Sequence, residues 1–255
     1  MYKFILYSLT MLAATSGPAA LYDHLDVPYT ATPITIDGNL EPAWDRALPY
    51  NLGACDGTIN NLIVEHYLTV VRLLWNEKYL YVSFVCSGHE IIAPMTQRDQ
   101  PVYQHDCCEV FLRLNAKTMV EIVVSPHNVV YDARSFRNDL NTMTVDIGYN
   151  VAGLQTATKI IAVDKGRLVW RVEMAIPWAG LGLDPGKQDC LDGNFLRYET
   201  MTSESRQKQN GPLKAYLPLS LFPTGVPGWP SGTSSHGKIQ LRHQDMAPQE
   251  KANQP

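Results

Sequence analysis

Between positions 102 and 111 the chain reads VYQHDCCEVF. A phenol ring, an imidazole, two carboxyls and two thiols fall within one short stretch. Such a set could hold a metal, run a dithiol couple, supply an acid or base, or form the rim of a binding face. Spacing argues against the first two. Cys107 and Cys108 are neighbours in a segment that reads as a strand, so their side chains point to opposite faces. The other cysteines are Cys55, Cys86 and Cys190, and the five contain no CxxC pair. Both adjacent thiols read as small apolar fillers. The seven histidines are scattered, so no metal ligand set can be assigned and no cofactor is expected. His105-Asp106 could be half of a dyad, but no G-x-S-x-G elbow supplies a nucleophile. Phosphate-cradling glycine motifs are absent as well.

The carboxyls carry more. In the alternation from Cys108 to Leu114, Glu109 lies on the face opposite Val110, Leu112 and Leu114. Glu121 occupies the matching face of the next apolar run, opposite Val120, Ile122 and Val124. Paired across an antiparallel sheet, the two would share one open surface. They could flank a glycosidic bond, accept hydrogen bonds from hydroxyl groups, or join Arg171, Glu173, Arg197 and Glu199 in cross-strand ion pairs. Tyr103 stands at the rim, in a loop after Pro101. Trp229 lies in the Gly/Pro/Ser-rich stretch 222–235, where an indole either stacks on a flat ligand or folds back over the edge of the core.

The elements that must position these groups are strands. YLTVVRLLW, a turn at Asn76-Glu77-Lys78 and YLYVSFVC make a hairpin over 67–86. Residues 108–114 and 119–124 form a second pair. From Leu168 to Ile176 apolar residues alternate strictly with Val169, Arg171, Glu173 and Ala175, and Pro177 ends the run. Short strands are also expected at Ile34–Ile36, Phe195–Thr200 and Ile239–Leu241, with Leu21–Pro33 irregular and a helical turn starting at Pro42. Trp44, Trp75, Trp170 and Trp178 read as packing. Long helical periodicity is missing, so the fold class is all-β: an antiparallel β-sandwich with short helical turns.

The 255 residues carry a net charge of −4 with no basic cluster, which argues against nucleic acid as a partner. Phe4 to Ala14 is an apolar run after Lys3, followed by Gly17-Pro18-Ala19-Ala20. Residues 1–20 are therefore expected to be a signal peptide and the protein secreted or periplasmic; the run is short for a membrane span. Residues 21–243 are expected to form one domain, and the polar tail 244–255 to be disordered.

IDGNLEPAWDRA, VRLLWNEKYLYVSFVC, QHDCCEVFL, VEIVVSP, WRVEMAIPW and HGKIQL follow one another in order. This ordered set resembles the family 9 carbohydrate-binding modules, and the likeness spans roughly residues 30–242. The resemblance implies a non-catalytic sandwich of DOMON-like or jelly-roll type that binds plant-type polysaccharide fragments or sugar-chain ends. It implies a clamp of two rings, at Tyr103 and Trp229, and a hydroxyl-binding carboxylate at Glu109. A tyrosine stands where the family has tryptophan, Glu121 where it has arginine, and Arg197 where it has glutamine. Some members hold structural calcium, and no calcium site can be placed in this chain.

The leading expectation is thus an oligo- or polysaccharide-binding protein that serves polysaccharide breakdown, with Tyr103, Glu109, Glu121, Arg197 and Trp229 at the site. The alternatives are a sandwich that has lost its sugar site and acts structurally or on a partner, a glycoside hydrolase using Glu109 with Asp106 or Glu121, and a haem-binding relative drawing on Met95, Met119, Met174 or His127.

Overall fold

In the computed structural model, which describes residues 21–55, 59–138, 142–163, 166–202, 216–224 and 236–243, the alternating segments build two facing sheets. The strands are β1 (His24–Pro28), β2 (Tyr50–Asn51), β3 (Gly53–Ala54), β4 (Thr69–Trp75), β5 (Tyr79–Gly88), β6 (Cys107–Arg113) and β7 (Thr118–Val124). They continue as β8 (Val130–Arg137), β9 (Met143–Asp146), β10 (Gln155–Ala162), β11 (Leu168–Pro177), β12 (Cys190–Thr200), β13 (Tyr216–Ser220) and β14 (Gly237–Arg242). Two short helices, α1 (Asn61–His66) and α2 (Trp178–Leu181), and three 3₁₀ turns complete the described residues. One sheet runs β1-β14-β12-β6-β7-β8-β9, with β13 and β3 attached beside β12; the other runs β10-β11-β5-β4-β2. All pairings are antiparallel except β1 with β14. The expected sandwich is what forms.

Period-2 patterning explains the layers. Leu80, Val82, Phe84 and Cys86 of β5 meet Cys108, Val110 and Leu112 of β6 in the apolar cluster between the sheets. A second cluster lies on the other side of the larger sheet and includes Cys107, Phe111, Met119, Val123 and Tyr131. Cys107 and Cys108 therefore do face opposite ways, and both are buried. A third cluster, around Trp44, covers the outer side of the smaller sheet. All four tryptophans read as packing are buried.

The IDGNLEPAW segment is tied down by one carboxyl. Glu173 of β11 accepts from the indole Nε1 of Trp44 at 2.9 Å and from the Gly38 amide at 2.8 Å. Gly38 has φ of 82°, and a Cβ there would sit 3.0 Å from Thr158 and Lys159, so the Asp37-Gly38 turn needs glycine. Glu173 was expected to point outward into ion pairs; it is buried as this anchor, because three donors converge on it.

Several expectations about strands are corrected. Ile34–Ile36 is not a strand; Ile34 packs beside Trp44 as irregular backbone. The stretch expected to be irregular contains β1, whose Leu25 and Val27 are buried against the core while the backbone pairs with β14. β8, β9, β10 and β13 were not expected. β9 and β10 are edge strands with no fully buried residue, so they lack an apolar alternation to read. β8 mixes Asp132, Arg134 and Ser135 into its run.

Candidate functional site

Antiparallel register brings Glu109 and Glu121 to the same face of the larger sheet. Glu109 of β6 pairs with Leu196 of β12 and Val123 of β7; Glu121 of β7 pairs with Phe111 of β6 and Ala133 of β8. The two carboxyls are thus diagonal neighbours on the side away from the other sheet. The expectation that this surface is open is corrected. Glu109 is 2 % exposed and Glu121 4 %, because the apolar cluster of this face closes around them.

Their surroundings leave them poor in partners. The Cys107 thiol donates to Glu109 Oε1 at 3.7 Å, and Glu121 Oε2 has no donor among the described residues. Burial pushes the Glu109 carboxyl up to about 8. It pushes Glu121 well above the ordinary carboxylate range, and the neighbouring Glu109 adds to that. Both carboxyls are therefore biased toward their protonated forms. Buried polar groups are ordinarily paired, which makes Glu121 Oε2 exceptional.

Two rings border them. The Val102–Gln104 turn crosses this face with Val102 buried in it, and Tyr103 is 42 % exposed. Tyr103 meets Tyr131 of β8 edge to face, with centroids 5.2 Å apart. Burial, with Glu121 next, pushes the Tyr131 phenol up to about 12. Tyr131 was not singled out in the sequence because β8 was not recognised. Register would have placed it, since Tyr131 pairs with Val123, which pairs with Glu109.

Asp106 holds this turn to the sheet and is not an acid–base group in waiting. Its Oδ2 accepts from the Ile92 amide at 2.7 Å and its Oδ1 from the Thr200 amide at 2.6 Å. Burial nonetheless raises its carboxyl, because desolvation outweighs those two amides.

Arg197 stands apart from the carboxyl pair. On β12 the side chains at 196 and 198 face the outer cluster, while Phe195 and Arg197 face the interior between the sheets. There Arg197 is 0 % exposed. It donates to Thr69 Oγ1 at 2.9 Å, to the Tyr67 carbonyl at 3.3 Å and to Glu199, and lies over the Trp170 ring. Its grouping with Glu109 and Glu121 is therefore corrected. The reason is parity: Arg197 pairs with Cys108, one residue from Glu109, and a step of one residue crosses the sheet.

Trp229 lies outside the described residues. The chain re-enters beside the carboxyl face at His236, whose Nε2 is 3.1 Å from Met119 Sδ and whose Nδ1 is 3.4 Å from Arg113 Nη2. Among the methionines weighed as axial ligands, Met174 is in the inter-sheet cluster and Met95 and Met119 are in the outer one. Among the described residues no three His, Cys, Asp or Glu side chains converge as a metal site. None of the described helices is long and apolar enough to cross a membrane.

Residues 36–210 match the family described as carbohydrate family 9 binding domain-like. Three solved structures are similar in fold. A candidate carbohydrate-binding protein from Bacteroides uniformis aligns with a TM-score of 0.63 at 12% identity, over 86% of this chain and 99% of its own. A family 9 carbohydrate-binding module from Caldicellulosiruptor kristjanssonii, in complex with cellotriose, aligns at 0.53 and 17% identity, over 91% and 98%. A module from the same organism in complex with glucose aligns at 0.54 and 18%, over 89% and 100%. No curated protein matches the chain.

Proposed function

The chain belongs to the carbohydrate family 9 binding domain-like family, and from that premise we propose that it binds the ends of plant-type polysaccharide chains on the face that carries Glu109 and Glu121. Members of this family are non-catalytic binding modules. The observation that carries the reading is the exposed Tyr103 ring at the rim of the face that holds Glu109 and Glu121, where Glu121 Oε2 lacks a donor among the described residues. A sugar offers a dense array of hydroxyls, which can donate to and accept from such groups without bringing a charge into the site. Tyr103 supplies an exposed ring for the apolar face of the sugar, and Trp229 is proposed as its counterpart. Arg197 is left out of the contact set and serves the interior beneath it. The similar Caldicellulosiruptor modules, solved with cellotriose and glucose, support β-1,4-linked glucose as the first ligand to try. We further propose that the protein is exported, by way of its apolar N-terminal run, and assists polysaccharide breakdown outside the cytoplasm.

The test is isothermal titration of the full chain with cellotriose, xylo-oligosaccharides and glucose. Saturable binding that is lost in Glu109→Ala, with the fold intact by circular dichroism, is expected. A folded wild-type protein that binds no sugar on the panel overturns the reading.

A second reading has one observation in its favour. Both carboxyls are closed from solvent. A sandwich whose sugar site is filled by its own side chains would serve a structural or partner-binding role, and the same titration separates the two.

A further inference from the structure

The two sheets carry a pair of thiols that the sugar site does not use. Cys86 lies on β5, the middle strand of the smaller sheet, between Thr69 of β4 and Trp170 of β11. Cys108 lies on β6, between Arg197 of β12 and Val124 of β7. Both side chains point into the space between the sheets and both are 0 % exposed. Their sulfurs are 3.6 Å apart across that space. We propose that Cys86 and Cys108 are a disulfide site, and that oxidation staples the two sheets together behind the strand that presents Glu109.

The geometry favours this pair over the others. A disulfide needs its sulfurs at about 2.05 Å, so these two must close by about 1.5 Å, within the reach of side-chain rotation and slight sheet movement. Cys107 faces the opposite side of β6 and bonds Glu109. Cys55 contacts the Pro218 carbonyl and Cys190 is exposed at the start of β12.

The oxidant is a small-molecule disulfide of the glutathione class. The Cys86 thiolate attacks one of its sulfurs and expels a thiolate, giving a mixed disulfide. Cys108 then attacks the Cys86 sulfur and expels the second thiolate, and the two thiol protons go to the leaving groups. The protein is oxidised by two electrons and the small disulfide is reduced to two thiols. Because both cysteines are sealed in the core, the exchange takes place before the sheets close during folding.

The experiment is to refold the reduced full-length chain with oxidised and reduced glutathione, block free thiols by alkylation in denaturant so that buried thiols react, and measure intact mass and non-reduced peptide maps. The expected product is lighter than the reduced chain by about 2 Da before alkylation, the two hydrogens lost. Its map joins Cys86 to Cys108 and shows Cys55, Cys107 and Cys190 alkylated. The linked residues are 22 positions apart, and closing a loop of that size should raise Tm by roughly 5–10 °C over the reduced form. Cys108→Ala should abolish the mass change and the Tm difference, and Cys107→Ala should leave both. Complete alkylation of Cys86 and Cys108 in the refolded wild type, or a cross-link through another cysteine, overturns the proposal. The mapping needs only the wild-type chain, so a variant that fails to fold does not blunt it.

Discussion

Glu109 and Glu121 sit on adjacent strands, diagonal to one another, on the same closed face of the larger sheet. Packing holds both there; the Cys107 thiol donates to Glu109, and Glu121 Oε2 has no donor among the described residues.

This arrangement makes stability depend on pH. Both carboxyls are raised above the ordinary value near 4.5, Glu109 to about 8. The folded chain therefore holds more protons than the unfolded chain between those limits. The contribution is fully present below about pH 4.5 and is lost as pH rises through about 8. Replacing Glu109 with Gln removes one such group and should flatten the decline, gaining on the order of 2–4 kcal/mol at pH 8.5 relative to wild type. Calorimetric Tm values from pH 5 to pH 9 provide the check; parallel curves for the two proteins would contradict it.

The rings should matter to affinity and little to stability. Tyr103 is substantially exposed, so Tyr103→Ala is expected to leave Tm within about 2 °C. Loss of one stacking ring should weaken cello-oligosaccharide binding roughly 3- to 10-fold. Trp229→Ala should cost at least as much if it forms the opposite ring. Titration calorimetry on the two single variants and the double variant reads this directly.

Asp106 is expected to act through the turn it anchors. Asp106→Ala leaves the amides of Ile92 and Thr200 without their acceptor and should destabilise the fold by about 2–4 kcal/mol. Because the same turn carries Tyr103, affinity should fall in the folded fraction too. Urea denaturation combined with titration below the transition separates the two effects, and an unchanged urea midpoint would refute the anchoring role.

Arg197 and Glu199 form a buried pair whose members should be worth more together than apart. Burial raises Glu199 to about 8 even against the pull of Arg197. Arg197→Met should cost about 3 kcal/mol, and adding Glu199→Leu should recover part of that loss. Sugar affinity should be unaffected in both, since Arg197 lies on the other side of the sheet from Glu109. A double-mutant cycle in urea measures the coupling; a large loss of affinity in folded Arg197→Met would instead return Arg197 to the site.

Much of the layer structure was legible along the chain. The hairpin of β4 and β5, the β6–β7 pair and β11 each bury one face, and burial of one face writes period-2 alternation into the residues. β9 and β10 left no such trace because they lie at edges and bury little. Tyr131 stayed hidden because its strand interrupts the apolar pattern with Asp132 and Arg134.

The sequence by itself determined that this is an all-β sandwich with Glu109 and Glu121 on one face, Cys107 and Cys108 on opposite faces, and the ordered motifs of a carbohydrate-binding family. The sandwich and the facing of those residues follow from local alternation, and the family from the order of its motifs. Only the tertiary structure decided that the carboxyl face is closed, that Tyr131 joins it, that Arg197 is turned inward and that Cys86 meets Cys108. Those facts depend on which strands become neighbours, which sheets face one another and what covers the outer face. A strand's own periodicity records which residues share a side, but not what the rest of the chain lays against it.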